Sequence, residues 1–140
     1  MKVITKLLKK SLNDPDETRR FGQSKMELVN LEDVTVGRLT LMPGWSWEKH
    51  VKPLVDTRSC QVFHTQYCLQ GRLKVILDDG VEFEVGPGDA VAIPPGHKAY
   101  VLGSEPFRAI EFSGAKEYAK TALNAELDAE PDWDEIMDIE

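Results

Sequence analysis

From about Lys25 onward, apolar and polar residues alternate with a period close to two. That period sends successive side chains to opposite faces of a sheet. KMELVNL and VTVGRLTLM predict two short strands, the second closed by Pro43-Gly44. A loop through Pro53 and Thr57 follows. CQVFHTQYCL then predicts a strand that ends at Gln70-Gly71. RLKVIL runs to Asp78-Asp79-Gly80, a hairpin signal. VEFEV alternates, which predicts Val81, Phe83 and Val85 inward and Glu82 and Glu84 outward. A tight turn over Gly86–Asp89 leads to AVAI, then Pro94-Pro95-Gly96, then HKAYVL. Gly103-Ser104-Glu105-Pro106 turns the chain into FRAIEFSG. Eight or nine short strands with turn signals every 8–12 residues predict an all-β sandwich or barrel, not a βαβ fold.

The ends differ from this body. Residues 1–12 have helical spacing (Val3/Leu7, Ile4/Leu8) and serve equally as an added strand; Asn13-Asp14-Pro15-Asp16 is a turn cluster. Residues 115–127, AKEYAKTALNAEL, are good helix formers. The expected division is an N-terminal arm over 1–23, a β domain over 24–114, and a C-terminal helix with an acidic tail over 115–140.

At 140 residues the chain suffices for one domain with a real core. No apolar run approaches bilayer-spanning length, and lysines are spread through the first twelve residues without a cleavage site. The expected address is cytoplasmic, with no membrane partner. The net charge of -7 belongs to the tail: residues 125–140 hold eight acids and no base, and the rest has 16 acids against 17 bases, or +1. Nothing resembles a basic nucleic-acid footprint. The tail reads as solvated, although Trp133, Ile136, Met137 and Ile139 lie among its acids. Cys60 and Cys68 would sit roughly 26 Å apart in one extended strand, too far to bridge. They are expected to stay reduced.

The chain has three histidines, His50, His64 and His97, each on a segment near a glycine-bearing turn. Imidazoles confined to three segments of a small β protein point to one shared pocket. Three neutral imidazoles could hold Zn²⁺, Fe²⁺, Ni²⁺, Cu²⁺ or Mn²⁺ with open positions for water or substrate. Glu48, of the same parity as His50, offers a carboxylate. Cys60, Gln66 and Cys68 share parity with His64 in a regular strand and offer a ligand or a pocket contact. Lys52 opposes a metal, because an ammonium repels a divalent cation. Without a metal, Lys52 and protonated histidines would make a cationic pocket for a carboxylate. Trp45 and Trp47 flank the entry to His50, as core packing or, for Trp47, as a ligand contact. Tyr67, of opposite parity to His64, is expected in the outer layer.

GDAVAIPPGH, with Gly88, Pro94 and Gly96 in place, resembles the second motif of the cupins. Gly44 and His50, with Gly71 closing the hairpin, resemble the first. The resemblance spans roughly residues 36–113, and its specific half runs from Gly71 to Gly96. GWSWEKHVKP and GHKAYVLGSEP are similar to a subgroup of small single-domain cupins. It implies an antiparallel jelly-roll β-barrel with a divalent metal at its mouth, a small polar or anionic ligand or substrate, and a homodimer formed through an exchanged N-terminal strand or sheet packing. The chain departs from the family pattern. Lys52 stands at the second histidine position of the first motif and His64 at its glutamate. Ala99 stands at the histidine of the second motif, with His97 two residues earlier on the same strand face. The usual ligand set is replaced by His50, His64 and His97, either as a metal site or as part of a metal-free anion pocket.

Overall fold

The computed structural model describes residues 4–113. The helix and acidic tail expected over 115–140 lie outside them. Among the described residues nine strands run β1 (Glu17–Phe21), β2 (Ser24–Leu31), β3 (Val34–Leu41), β4 (His64–Gln70), β5 (Arg72–Leu77), β6 (Glu82–Val85), β7 (Ala90–Ile93), β8 (His97–Leu102) and β9 (Phe107–Ser113). Two one-turn helices, α1 (Trp47–His50) and α2 (Lys52–Val55), lie between β3 and β4. All strand pairs are antiparallel. One sheet has the order β1-β2-β3-β9-β4-β7 and the other β6-β5-β8. Among the described residues the ladders form these two sheets and do not close into one barrel. No described helix is long and apolar enough to cross a membrane.

The alternation in the sequence decides which face is buried. Met26, Leu28, Leu39, Leu41, Cys68, Phe107 and Ala109 of the larger sheet meet Leu73, Val75, Val85 and Val101 of the smaller one in a single core. Trp45, Trp47 and Val51 extend it at one end. The alternation fails at Val81, which lies just before β6 and is exposed where an inward side chain is expected. Tyr67 is on the outer side, as its parity requires.

Three segments depart from the expected pattern. Residues 4–12 form neither helix nor strand, and β1 pairs with β2 inside the stretch read as an arm. The loop through Pro53 is helical. Ser46 caps α1 by accepting from the Lys49 amide, and Pro53 sits in the first turn of α2, where its missing N–H costs nothing. The strand expected from Cys60 begins only at His64, since residues 61–63 are irregular. Gly71 closes the β4–β5 turn with φ +79, and a Cβ there would stand 2.2 Å from the Pro106 carbonyl oxygen. Only glycine fits that position.

Candidate functional site

Three segments meet at one end of the core. Cys60 precedes β4, His64 opens β4 in the larger sheet, and His97 opens β8 in the smaller one. The break at residues 61–63 brings Cys60 back toward His64. In a regular strand these two residues would lie roughly 13 Å apart, whereas Cys60 Sγ is 3.8 Å from His64 Nε2. A backbone bridge fixes Cys60 against His97: the Cys60 amide donates to the His97 carbonyl at 2.8 Å, and the Gly96 amide to the Cys60 carbonyl at 2.7 Å. The two imidazoles meet edge to face, with centroids 5.1 Å apart. One potential ligand atom from each of Cys60, His64 and His97 lies within 4.8 Å of the others.

Both histidines are held from behind. His64 Nδ1 lies 3.0 Å from Glu111 Oε2, and His97 Nδ1 lies 2.7 Å from the Pro94 carbonyl oxygen. A carboxylate and a carbonyl can only accept, so each ring donates from Nδ1. Glu111 is fully buried and also accepts from Gln66 Nε2 at 2.7 Å.

Charge in this cluster is shared. Burial pushes the Cys60 thiol up, but hydrogen bonds from His64 and His97 and their charges outweigh it and bring the thiol down to about 6. Burial pushes His64 down, but hydrogen bonds to Cys60 and Glu111 and their charges raise it to about 9. Each group thus favours the charged form of the other.

A pocket of about 40 Å³ opens beside the cluster, lined by Trp45, Trp47, Cys60, His64, Gln66 and His97 over a floor of leucines and Ile93. Of the residues singled out in the sequence, Trp47, Cys60, His64, Gln66 and His97 thus come together. His50, Lys52 and Glu48 do not. His50 ends α1, its Nδ1 is 3.2 Å from the backbone N and O of Ser46, and its ring packs on Gly22. Lys52 lies on α2. Glu48 is exposed and pairs with Lys98 at 3.0 Å. The expected alignment of these three assumed an extended chain, and the helical turns over 47–55 remove it. Cys60 occupies the place expected of His50.

Glu111 escaped the sequence reading. Its signal was present: in FRAIEFS it shares parity with Phe107 and Ala109, both fully buried. A carboxylate on that face has to be paired.

Residues 59–113 match the cupin domain family. Among solved structures, a protein of unknown function from Rhizobium leguminosarum bv. viciae is 28% identical, with a TM-score of 0.53 over 78% of this chain and 98% of that one. The polyketide cyclase RemF from Streptomyces resistomycificus is 20% identical, with a TM-score of 0.54 over 79% of this chain and 80% of that one. A sugar phosphate isomerase of the cupin superfamily from Silicibacter pomeroyi is 18% identical, with a TM-score of 0.54 over 76% and 75%. The last two likenesses bear on the fold alone. No curated protein matches the chain. Two antiparallel sheets around one core and the glycine-bounded strands from Gly71 to His97 coincide with the stretch, residues 59–113, over which the chain is similar to the cupin domain family.

Proposed function

We propose that Cys60, His64 and His97 hold a divalent metal at one end of a two-sheet jelly roll, and that the adjoining pocket takes a small molecule. The carrying observation is the convergence of one sulfur and two imidazoles whose Nδ1 atoms are already anchored, leaving both Nε2 atoms for a ligand. The fit is good: the S–N edge of a tetrahedral zinc site is about 3.6 Å from its bond lengths, against 3.8 Å here. A thiolate with two imidazoles suits Zn²⁺, Fe²⁺ or Ni²⁺ better than Mn²⁺, which prefers oxygen ligands. When bound, such an ion supplies Lewis acidity at its open position. The chain's own groups do the rest: Glu111 orients His64, Pro94 orients His97, and the apolar walls exclude water. Lys52 does not line the pocket, which weighs against a metal-free carboxylate site.

We also propose a homodimer in a reducing compartment such as the cytoplasm. The exposed Tyr67, Leu69 and Phe112 on the outer face of β4 and β9 support pairing, and the free thiols fit that compartment. Light scattering at micromolar concentration should give twice the chain mass; the chain mass alone refutes the dimer.

The test of the metal site is metal content, measured on protein purified without an affinity metal column, for the native chain and for His64→Ala. Near-stoichiometric metal that the substitution removes is expected. Content below about a tenth of an equivalent, unchanged after reloading with Zn²⁺, Fe²⁺ or Ni²⁺, overturns the proposal.

A further inference from the structure

Cys60, His64 and Glu111 form a connected chain. Cys60 Sγ is 3.8 Å from His64 Nε2, and His64 Nδ1 is 3.0 Å from Glu111 Oε2. That is the order of a nucleophile, a base, and the group that holds the base. With Nδ1 donating to Glu111, the Nε2 of a neutral His64 ring is an acceptor and can take the thiol proton. The same nitrogen can then return that proton to a leaving group. Cys60 is half-buried and lines the pocket. The second cysteine is not equivalent. Cys68 is fully buried within β4, with its sulfur toward the carbonyl oxygens of Gln70 and Gly71 at 3.5 and 3.6 Å.

The surroundings favour one kind of electrophile. Acyl transfer calls for donors aimed at a developing oxyanion. The two rings instead donate from Nδ1, to Glu111 and to the Pro94 carbonyl. Displacement at an O–O bond has no tetrahedral intermediate. It needs a nucleophilic sulfur and a proton for the departing oxygen, and the chain from Cys60 to Glu111 supplies both. The pocket is small, about 40 Å³, and Leu39, Leu41, Leu73, Ile93 and Ala99 line it with hydrocarbon. Such a space suits a small neutral molecule.

We propose that Cys60 reduces small neutral hydroperoxides, with His64, held by Glu111, carrying the thiol proton to the departing oxygen. The sulfur bonds to one peroxide oxygen as the O–O bond breaks. The products are a sulfenic acid at Cys60 and one molecule of water or alcohol. Sulfur gives up two electrons and the peroxide takes them. The reaction belongs to the metal-free chain and goes beyond the metal reading, since an ion bound at the cluster would cover the sulfur.

The experiment compares hydrogen peroxide with iodoacetamide on the full, metal-free chain. Both reagents need the nucleophilic sulfur, but iodide leaves without a proton and the peroxide oxygen does not. The peroxide rate at Cys60 divided by the iodoacetamide rate therefore isolates proton delivery. That ratio is expected to exceed the ratio for free cysteine at least about tenfold. His64→Gln, which keeps a donor for Glu111, should bring it to within about threefold of free cysteine. If that variant does not fold, the native ratio decides alone. After peroxide, dimedone should label the peptide that carries Cys60 and not the one that carries Cys68. A native ratio equal to that of free cysteine overturns the proposal, and so does a label on Cys68 or on neither cysteine. Loading with Zn²⁺ separates the two readings. Bound zinc that leaves the peroxide rate unchanged removes Cys60 from the metal site and leaves the peroxide reaction standing. A full equivalent of bound metal, in a chain whose metal-free form shows no enhanced ratio, sinks the peroxide reaction alone.

Discussion

Glu111→Gln is the most informative single substitution. It keeps shape and volume and removes one charge from a fully buried position. The native carboxylate accepts from His64 Nδ1 at 3.0 Å and from Gln66 Nε2 at 2.7 Å. An amide has a single oxygen, so it can serve one of these donors and must turn its NH₂ toward the other. A hydrogen bond to a charged partner contributes about 1.5–3 kcal/mol, against about 0.5–1.5 for a neutral pair. Losing one bond and the charge assistance of the other costs about 2–3 kcal/mol; relief of a buried charge offsets part of this. The expected net loss is about 2 kcal/mol in urea unfolding of the metal-free protein. The hold on the His64 ring loosens as well, so Zn²⁺ affinity, read by competition with a chelator, should fall about 10–100-fold. A folded Gln variant within about 0.5 kcal/mol of native stability, binding Zn²⁺ equally well, would refute the role given to Glu111.

The linked titrations of Cys60 and His64 give a second prediction. His64, raised from 6.5 to about 9, contributes stability that is complete below pH 6.5 and lost as pH rises through 9. Cys60, lowered from 9.0 to about 6, contributes stability that is complete above pH 9 and lost as pH falls through 6. Between pH 6.5 and 9 the two slopes oppose each other, so the metal-free native protein should show a nearly flat urea midpoint. A steep change in the native midpoint across that window would contradict the pairing. Iodoacetamide should modify Cys60 with a midpoint near pH 6, while the fully buried Cys68 stays protected; a midpoint above pH 8 would show that the thiol is not held by the histidines. Finally, Gly71→Ala should cost about 3 kcal/mol or more, because both the φ of +79 and the approach to Pro106 oppose a Cβ. Unfolding at native denaturant concentrations would mean that the hairpin can move aside.

Where short apolar-rich runs lie between clear turn signals, the sequence was enough to place the elements. Arg72–Leu77, Ala90–Ile93, His97–Leu102 and Phe107–Ser113 all form strands where their apolar spacing put them. The site was harder, since its geometry depends on departures from that spacing. Cys60 reaches His64 only because residues 61–63 leave the strand, and His50 misses the site only because Ser46 caps a helical turn. Both are short-range events that periodicity averages away. β1 was missed for a related reason: in ETRRF the polar residues outnumber the apolar ones, and its place is fixed by pairing with β2. Glu111 shows a different limit. Its parity marked an inward position, but its partners come from 45 and 47 residues away, and nothing local announces them.

His64 belongs to the six-stranded sheet and His97 to the three-stranded one, with Cys60 bonded to the backbone of the latter. An ion shared by the three would tie one layer of the sandwich to the other at its open end. The layers could then separate only by breaking bonds to the ion. With ligands from both layers, such a tie would be complete only once both were in place. It would leave the folding rate nearly unchanged and slow unfolding. The metal would thus act on the lifetime of the folded protein, and a cell that withheld it would hold the same fold for a shorter time.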